Sequence, residues 1–188
     1  MPKKVDHDER RRLIADALMK VAAEQGLEAV SLRHVAQAAG VSAGMVQHYF
    51  HTKDEMMVFA LAAISERSEV RVRAAVDALG ADPTPRLLLR TMIAALLPLE
   101  GPTREDGRVA LAFLAYTAVR PAASAELRPS TAQFVEFIAS MLPRGGAVAA
   151  AGLLALMEGL GLYLLGGQYT PAQALDALDA QLDLLFAT

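Results

Sequence analysis

Between Ser31 and Lys53 two short amphipathic segments are separated by only three residues, Gly40-Val41-Ser42, and this spacing restricts the chain more than any other stretch. Leu32 to Ala39 reads as one helix and Ala43 to Phe50 as the next. Ser31 and Ser42 stand where an N-cap hydroxyl accepts a bond from an otherwise unpaired helical N–H. Gly40 stands where the first helix must end in a left-handed residue, a conformation free of steric cost only for glycine. Leu32, Val35, Ala36 and Ala39 form one apolar face, and Val46 and Phe50 form the face that meets it. What is left over on the second helix is Ala43, Gly44, Met45, Gln47, His48 and Tyr49, which are small or hydrogen-bonding and uncharged. That mixture suits the floor of a DNA major groove, so the pair predicts a helix-turn-helix with the second helix as reader.

The stretch AGVSAGMVQHYFHTKDEM, with Ser31, Arg33, Val35 and Ala36 before it and a periodic helix ending in Gly26, resembles the signature of the tetracycline-repressor (TetR) family. The resemblance covers about residues 10–60; beyond it the helical pattern is similar to the choline and betaine regulator-like branch. It implies an all-α fold, an N-terminal three-helix domain over residues 1–53, and a ligand-binding and dimerisation bundle over 54–188. It further implies DNA contacts from Arg33, from the backbone-touching Tyr49 and from the phosphate-gripping Lys53. Ser42 and Gly44 let the helix N-terminus approach the duplex closely, since neither is bulky. Gln47 departs from the tyrosine that most members carry. It has the right groups to pair with adenine N6/N7, and the competing reading is a surface or phosphate contact. Met45 has two readings as well, a thymine methyl contact or simple packing, and Ser31, Ala43 and His48 complete the candidate interface.

Charge supports that placement. The chain carries −3 overall, yet residues 1–53 hold eight Lys/Arg against six Asp/Glu and all four histidines. Residues 54–188 hold ten against fifteen, so basic character gathers where phosphates would lie. Met1 to His7 is expected to be a mobile arm. With it, Lys3, Lys4, Arg10, Arg11 and Arg12 would either reach phosphates and a minor groove or form a solvated basic tail. The N-terminus MPKKVDHDERRR has no apolar run behind it and is not a signal peptide, so the expected location is the cytoplasm.

Apolar periodicity ending at Gly26 predicts a helix over about 8–25, and the punctuation after Lys53 predicts others over about 54–79, 85–97, 104–120, 125–142, 147–165 and 171–186, about nine in all with the reader pair. The 147–165 segment holds a single charge, Glu158, near its middle. An ionised group there is costly in a bilayer, which favours a helix buried in protein over a membrane span. Leu153, Leu156, Leu160 and Tyr163 on it, and Leu175, Leu178, Leu182 and Leu185 on the last helix, form stripes that would pair with a second copy in a four-helix interface. Met92, Leu96, Phe113, Tyr116, Phe134, Phe137, Met141, Met157 and Glu158 either line a cavity for an apolar or amphipathic effector or are plain core, the second being favoured residue by residue. Glu158 needs a partner, and an arginine across the interface is the favoured one over an effector.

Other chemistry is not indicated. With no cysteine, thiolate metal sites, disulfides and cysteine nucleophiles are excluded. His34, His48 and His51 lack metal-ligand spacing, no nucleophile or phosphate-loop motif occurs, and neither enzyme activity nor a cofactor is expected. The expectation is a homodimeric, ligand-responsive repressor on a palindromic DNA operator. The competing reading is DNA binding that is sequence-tolerant or independent of an effector.

Overall fold

The computed structural model describes residues 3–26, 29–144 and 146–187. These form nine α-helices: α1 (Lys3–Gln25), α2 (Leu32–Ala39), α3 (Ala43–Tyr49), α4 (Lys53–Asp77), α5 (Pro85–Leu96), α6 (Gly101–Ala118), α7 (Pro121–Met141), α8 (Gly146–Leu165) and α9 (Pro171–Phe186). Among the described residues there is no strand.

By contact the chain divides into two compact units, residues 1–67 with 108–119 and residues 68–107 with 120–188. α4 and α6 therefore contribute residues to both. This grouping is a different partition from a boundary at residue 53, which marks where the reader stretch ends.

In the first unit α1 packs on α2 and α2 on α3. Ile14, Leu18 and Val21 of α1, Val35 and Ala36 of α2, and Val46 with Phe50 are all buried, together with Met56, Met57, Ala60 and Ile64 of α4. Burying each of the larger of these side chains is worth roughly 1.5–3 kcal/mol, which is how helices of eight and seven residues hold together when neither would in isolation. The helix expected to begin near Asp8 begins at Lys3, so His7 and the basic residues after it are helical rather than an arm. Met1 and Pro2 lie outside the described residues.

In the second unit α8 lies between α7 and α9, and α5 packs on both α7 and α9. Leu89, Ile93 and Leu97, Ile138, Leu153, Leu160 and Leu164, and Leu178 and Leu182 make a continuous core. Prolines expected to stop helices here often start them. Pro121 opens α7, Pro102 lies in the first turn of α6, and Pro129 is carried inside α7. In a first turn the missing N–H would have had no partner anyway. α6 and α7 consequently start three and four residues earlier than the breakers suggest, at Gly101 and Pro121. Gly146 begins α8 rather than ending α7, and Gly145 lies outside the described residues.

α8 is long and apolar enough to cross a bilayer by length and composition. Its inward residues Ala150, Leu153, Leu160 and Leu164 instead pack among α7 and α9, and Glu158 interrupts the other side.

Candidate nucleic-acid interface

The turn is built as its residues dictate. The Ser31 hydroxyl accepts from His34 N–H at 3.2 Å and the Ser42 hydroxyl from Met45 N–H at 3.1 Å. Gly40 is left-handed, with φ 66° and ψ 29°, and its N–H returns to the last turn of α2. Val46 and Phe50 are fully buried, which fixes the rotation of α3 about its axis. Ala43, Gly44, Met45, Gln47 and His48 are consequently turned to solvent, with Arg33 in the first turn of α2 exposed as well. A Cβ added at Gly44 would meet nothing nearer than Ser42 Oγ at 3.9 Å. The protein's own packing thus does not call for glycine there, and a surface approached from outside would.

Tyr49 is half-buried, its ring 4.7 Å from that of His7 on α1 and 5.2 Å from that of His48. His34 is exposed, but its ring is tied to the chain before α2. Its Nδ1–H donates to the Ala29 carbonyl at 2.6 Å, so the ring steadies the loop before α2. Among the described residues no three metal-capable side chains gather.

The corner after α3 is tied by residues that the sequence reading passed over. Thr52 Oγ1 accepts from Glu55 N–H at 3.0 Å, and Glu55 Oε2 accepts from His51 N–H at 2.9 Å. The Thr-x-x-Glu spacing was a readable capping signal. Lys53, half-buried, opens α4 beside this corner. Arg11 also belongs here rather than to a phosphate-seeking arm, because its guanidinium sits over the rings of both Phe50 and Phe59. No local pattern announces that, since its partners lie about forty residues away in sequence.

The residues weighed as cavity lining or plain core are divided between the two units. Phe113 and Tyr116 fall in the first unit, and Met92, Leu96, Phe134, Phe137, Met141, Met157 and Glu158 in the second. Tyr116 donates its hydroxyl proton to Asp54 in the first turn of α4. Phe113 is buried beside a void of about 10 Å³ lined by Leu18, Met57, Ala60, Leu61 and Val109, barely room for one water. Phe134 and Met141 flank the second core, but Phe137 is 42% exposed, since Ile138 takes the inward position. Glu158 has no ion-pair partner among the described residues, and although it reaches solvent, partial burial among apolar side chains holds its carboxyl above the usual carboxylate range.

The leucine stripes divide between inward and outward positions, with Tyr163 45% exposed. Leu153, Leu160, Leu178 and Leu182 are at most 2% exposed and belong to the core of their own unit; Leu156 and Leu185 pack against it, and Leu175 is partly buried. A helix apolar on every side does not tell from sequence which side turns inward. The face left open on α8 runs through Val148, Ala151, Gly152, Ala155, Glu158, Leu162 and Tyr163, with Leu184 exposed on α9.

A capped two-helix reader with an uncharged, solvent-facing second helix, set in an all-helical chain, defines a helix-turn-helix DNA-binding regulator of transcription. Residues 14–58 match the family profile described as bacterial regulatory proteins, tetR family, and residues 85–187 match BetI-type transcriptional repressor, C-terminal. The chain belongs to the TetR family. It is 30% identical over 197 residues to the HTH-type transcriptional regulator BetI of Burkholderia thailandensis, covering 100% of this chain and 98% of that one. Against the HTH-type transcriptional regulator PksA of Bacillus subtilis it is 35% identical over 116 residues, which is 62% of this chain and 55% of PksA. The crystal structure of a transcriptional regulator from Rhodococcus sp. Rha1 superposes with a TM-score of 0.83 at 34% identity, covering 93% of this chain and 95% of the other. All three are regulators of transcription rather than enzymes.

Proposed function

We propose that the protein is a homodimeric, ligand-responsive transcriptional repressor that binds a roughly palindromic operator and is released from it by a small molecule. The observation that carries the reading is α3. Serine-capped and anchored through Val46 and Phe50, it leaves Ala43, Gly44, Met45, Gln47 and His48 exposed, and these would enter a groove while Arg33, Tyr49 and Lys53 would meet the flanking backbone. Two such readers about one helical turn apart, ~34 Å, would enter successive major grooves. The second copy would seat on the open stripe of α8, where Val148 is 85% and Leu162 47% exposed, and on the neighbouring Leu184 of α9. Repression is supported by the BetI-type repressor description that the C-terminal half matches.

The effector is assigned as apolar or amphipathic, received by the second unit near Met92, Leu96, Phe134 and Met141. It works by binding one arrangement of the dimer more tightly than another, so operator affinity falls by that difference. Titrating apolar and amphipathic compounds against protein bound to its operator tests this. At least one compound that binds the free protein is expected to lower operator affinity. If every compound that binds leaves operator affinity unchanged, DNA binding is effector-independent.

A further inference from the structure

The geometry points to Arg11 as a positioning residue for the recognition helix: seated over two adjoining aromatic rings, it sets the corner where α3 passes into α4, and with it the pose in which Gln47 is presented. The guanidinium carbon lies 4.9 Å from the centre of the Phe50 ring and 4.6 Å from that of Phe59. The two rings are themselves 5.5 Å apart and tilted by 59°. Phe50 is no incidental neighbour. It is the C-cap of α3, fully buried, and its N–H donates to the Val46 carbonyl at 2.9 Å.

The same guanidinium reaches Glu55, with Nη2 3.7 Å from Oε1. The other oxygen of that carboxylate accepts from His51 N–H, the first amide beyond Phe50. One charged group therefore joins α1, the end of α3 and the first turn of α4. Arg11 Nε is buried with no hydrogen-bond partner among the described residues, so the rings and Glu55 are what hold the group here. A cation over aromatic faces is worth most when water is excluded, and a planar guanidinium fills that slot where an ammonium does not. The sequence offers a competing role, an arm arginine on a phosphate, and the two roles differ in what they make measurable. A phosphate contact contributes charge, which lysine retains, and adds to the salt dependence of binding to every duplex. A positioning residue contributes shape, which lysine lacks, and affects sequence preference alone.

The inference rests on the DNA-reading function, and the experiment separates the two. Full-length wild type, Arg11→Lys and Arg11→Met are each bound to an operator selected from random DNA and to an unrelated duplex of equal length, over a salt series. Both variants are expected to lose about tenfold or more on the operator, stay within about twofold of wild type on the unrelated duplex, and keep the wild-type salt slope. In the DNA-free Arg11→Lys protein the backbone amide resonances of Gln47 to His51 are expected to shift. Wild-type operator affinity in Arg11→Lys, a salt slope lower by about one unit in Arg11→Met, or unmoved amides overturn the assignment. If Arg11→Met does not fold, the lysine variant decides alone. A wild-type protein that prefers no duplex over another contradicts the reader itself, while the amide shifts still test Arg11.

Discussion

Gln47 and Lys53 are six residues apart, and their surroundings give them different work. Gln47 is exposed near the middle of α3, beside Met45 and His48, where its amide has both a donor and an acceptor to offer a base edge. Lys53 opens α4, outside the helix that would enter the groove, and a positive charge there acts on phosphate without regard to sequence. Gln47→Ala is therefore expected to cost roughly 1–3 kcal/mol, confined to one or two base pairs. Lys53→Ala is expected to weaken all duplexes alike and reduce the salt slope by about one unit. Binding to a set of single-base-pair operator variants at several salt concentrations separates the two. A uniform loss in Gln47→Ala would remove base reading from that residue. Tyr116 shows how a residue's role follows from its partner: an aromatic read as either core or cavity lining spends its hydroxyl on Asp54, one residue from Lys53.

At the scale of helices, α5 and α9 are joined by more than apolar packing. Arg90 Nε lies 2.8 and 3.0 Å from the two oxygens of Asp179, and Arg86 Nε lies 2.9 Å from Asp183 Oδ1 while its Nη2 reaches the Asp179 carbonyl at 3.4 Å. The hydrogen bond to Asp179 holds the Arg90 pKa above its ordinary value. Both arginines are about one-third exposed at the side chain, so solvent screens the network. Asp179→Ala is expected to lower stability by about 1–2 kcal/mol, read as a shift in the urea midpoint that shrinks at high salt. No shift at low salt would show that Leu178 and Leu182 alone hold α9 to its neighbours.

The elements themselves were largely legible. α2 falls where periodicity and caps put it, because Ser31 and Gly40 act through backbone groups within four residues, and α9 falls where periodicity put it, its Thr170 capping box having gone unread. The starts of α6 and α7 were not, since a proline forbids the middle of a helix but favours its first turn, and sequence alone does not say which applies. The reader's open face followed from Val46 and Phe50. The open face of α8 did not, because that helix is apolar all round and only packing against α7 and α9 chooses the inward side. Arg11 was legible as a charge and not as a clamp, its aromatic partners being brought to it by the fold.

Taken whole, the chain joins a basic-leaning reader stretch to an acidic remainder, a distribution that draws the first part toward DNA and repels the second. A single reader of seven residues touches too few bases to single out one site in a genome, and pairing two on a two-fold axis multiplies the discrimination. The open stripe on α8 would supply an apolar face for that pairing, and a charge such as Glu158 within it suits a protein partner better than lipid. Operator symmetry is thus the property that joins reader, body and dimer in one claim. Selecting bound sequences from a pool of random duplexes with the purified full-length protein, then counting the chains bound per selected duplex, tests it most directly. The expected result is an inverted repeat with half-sites about 10–10.5 base pairs apart, or a multiple of that spacing, bound by one or more pairs of chains. An isolated half-site held by a single chain, or a pool that shows no enriched sequence, would contradict the account.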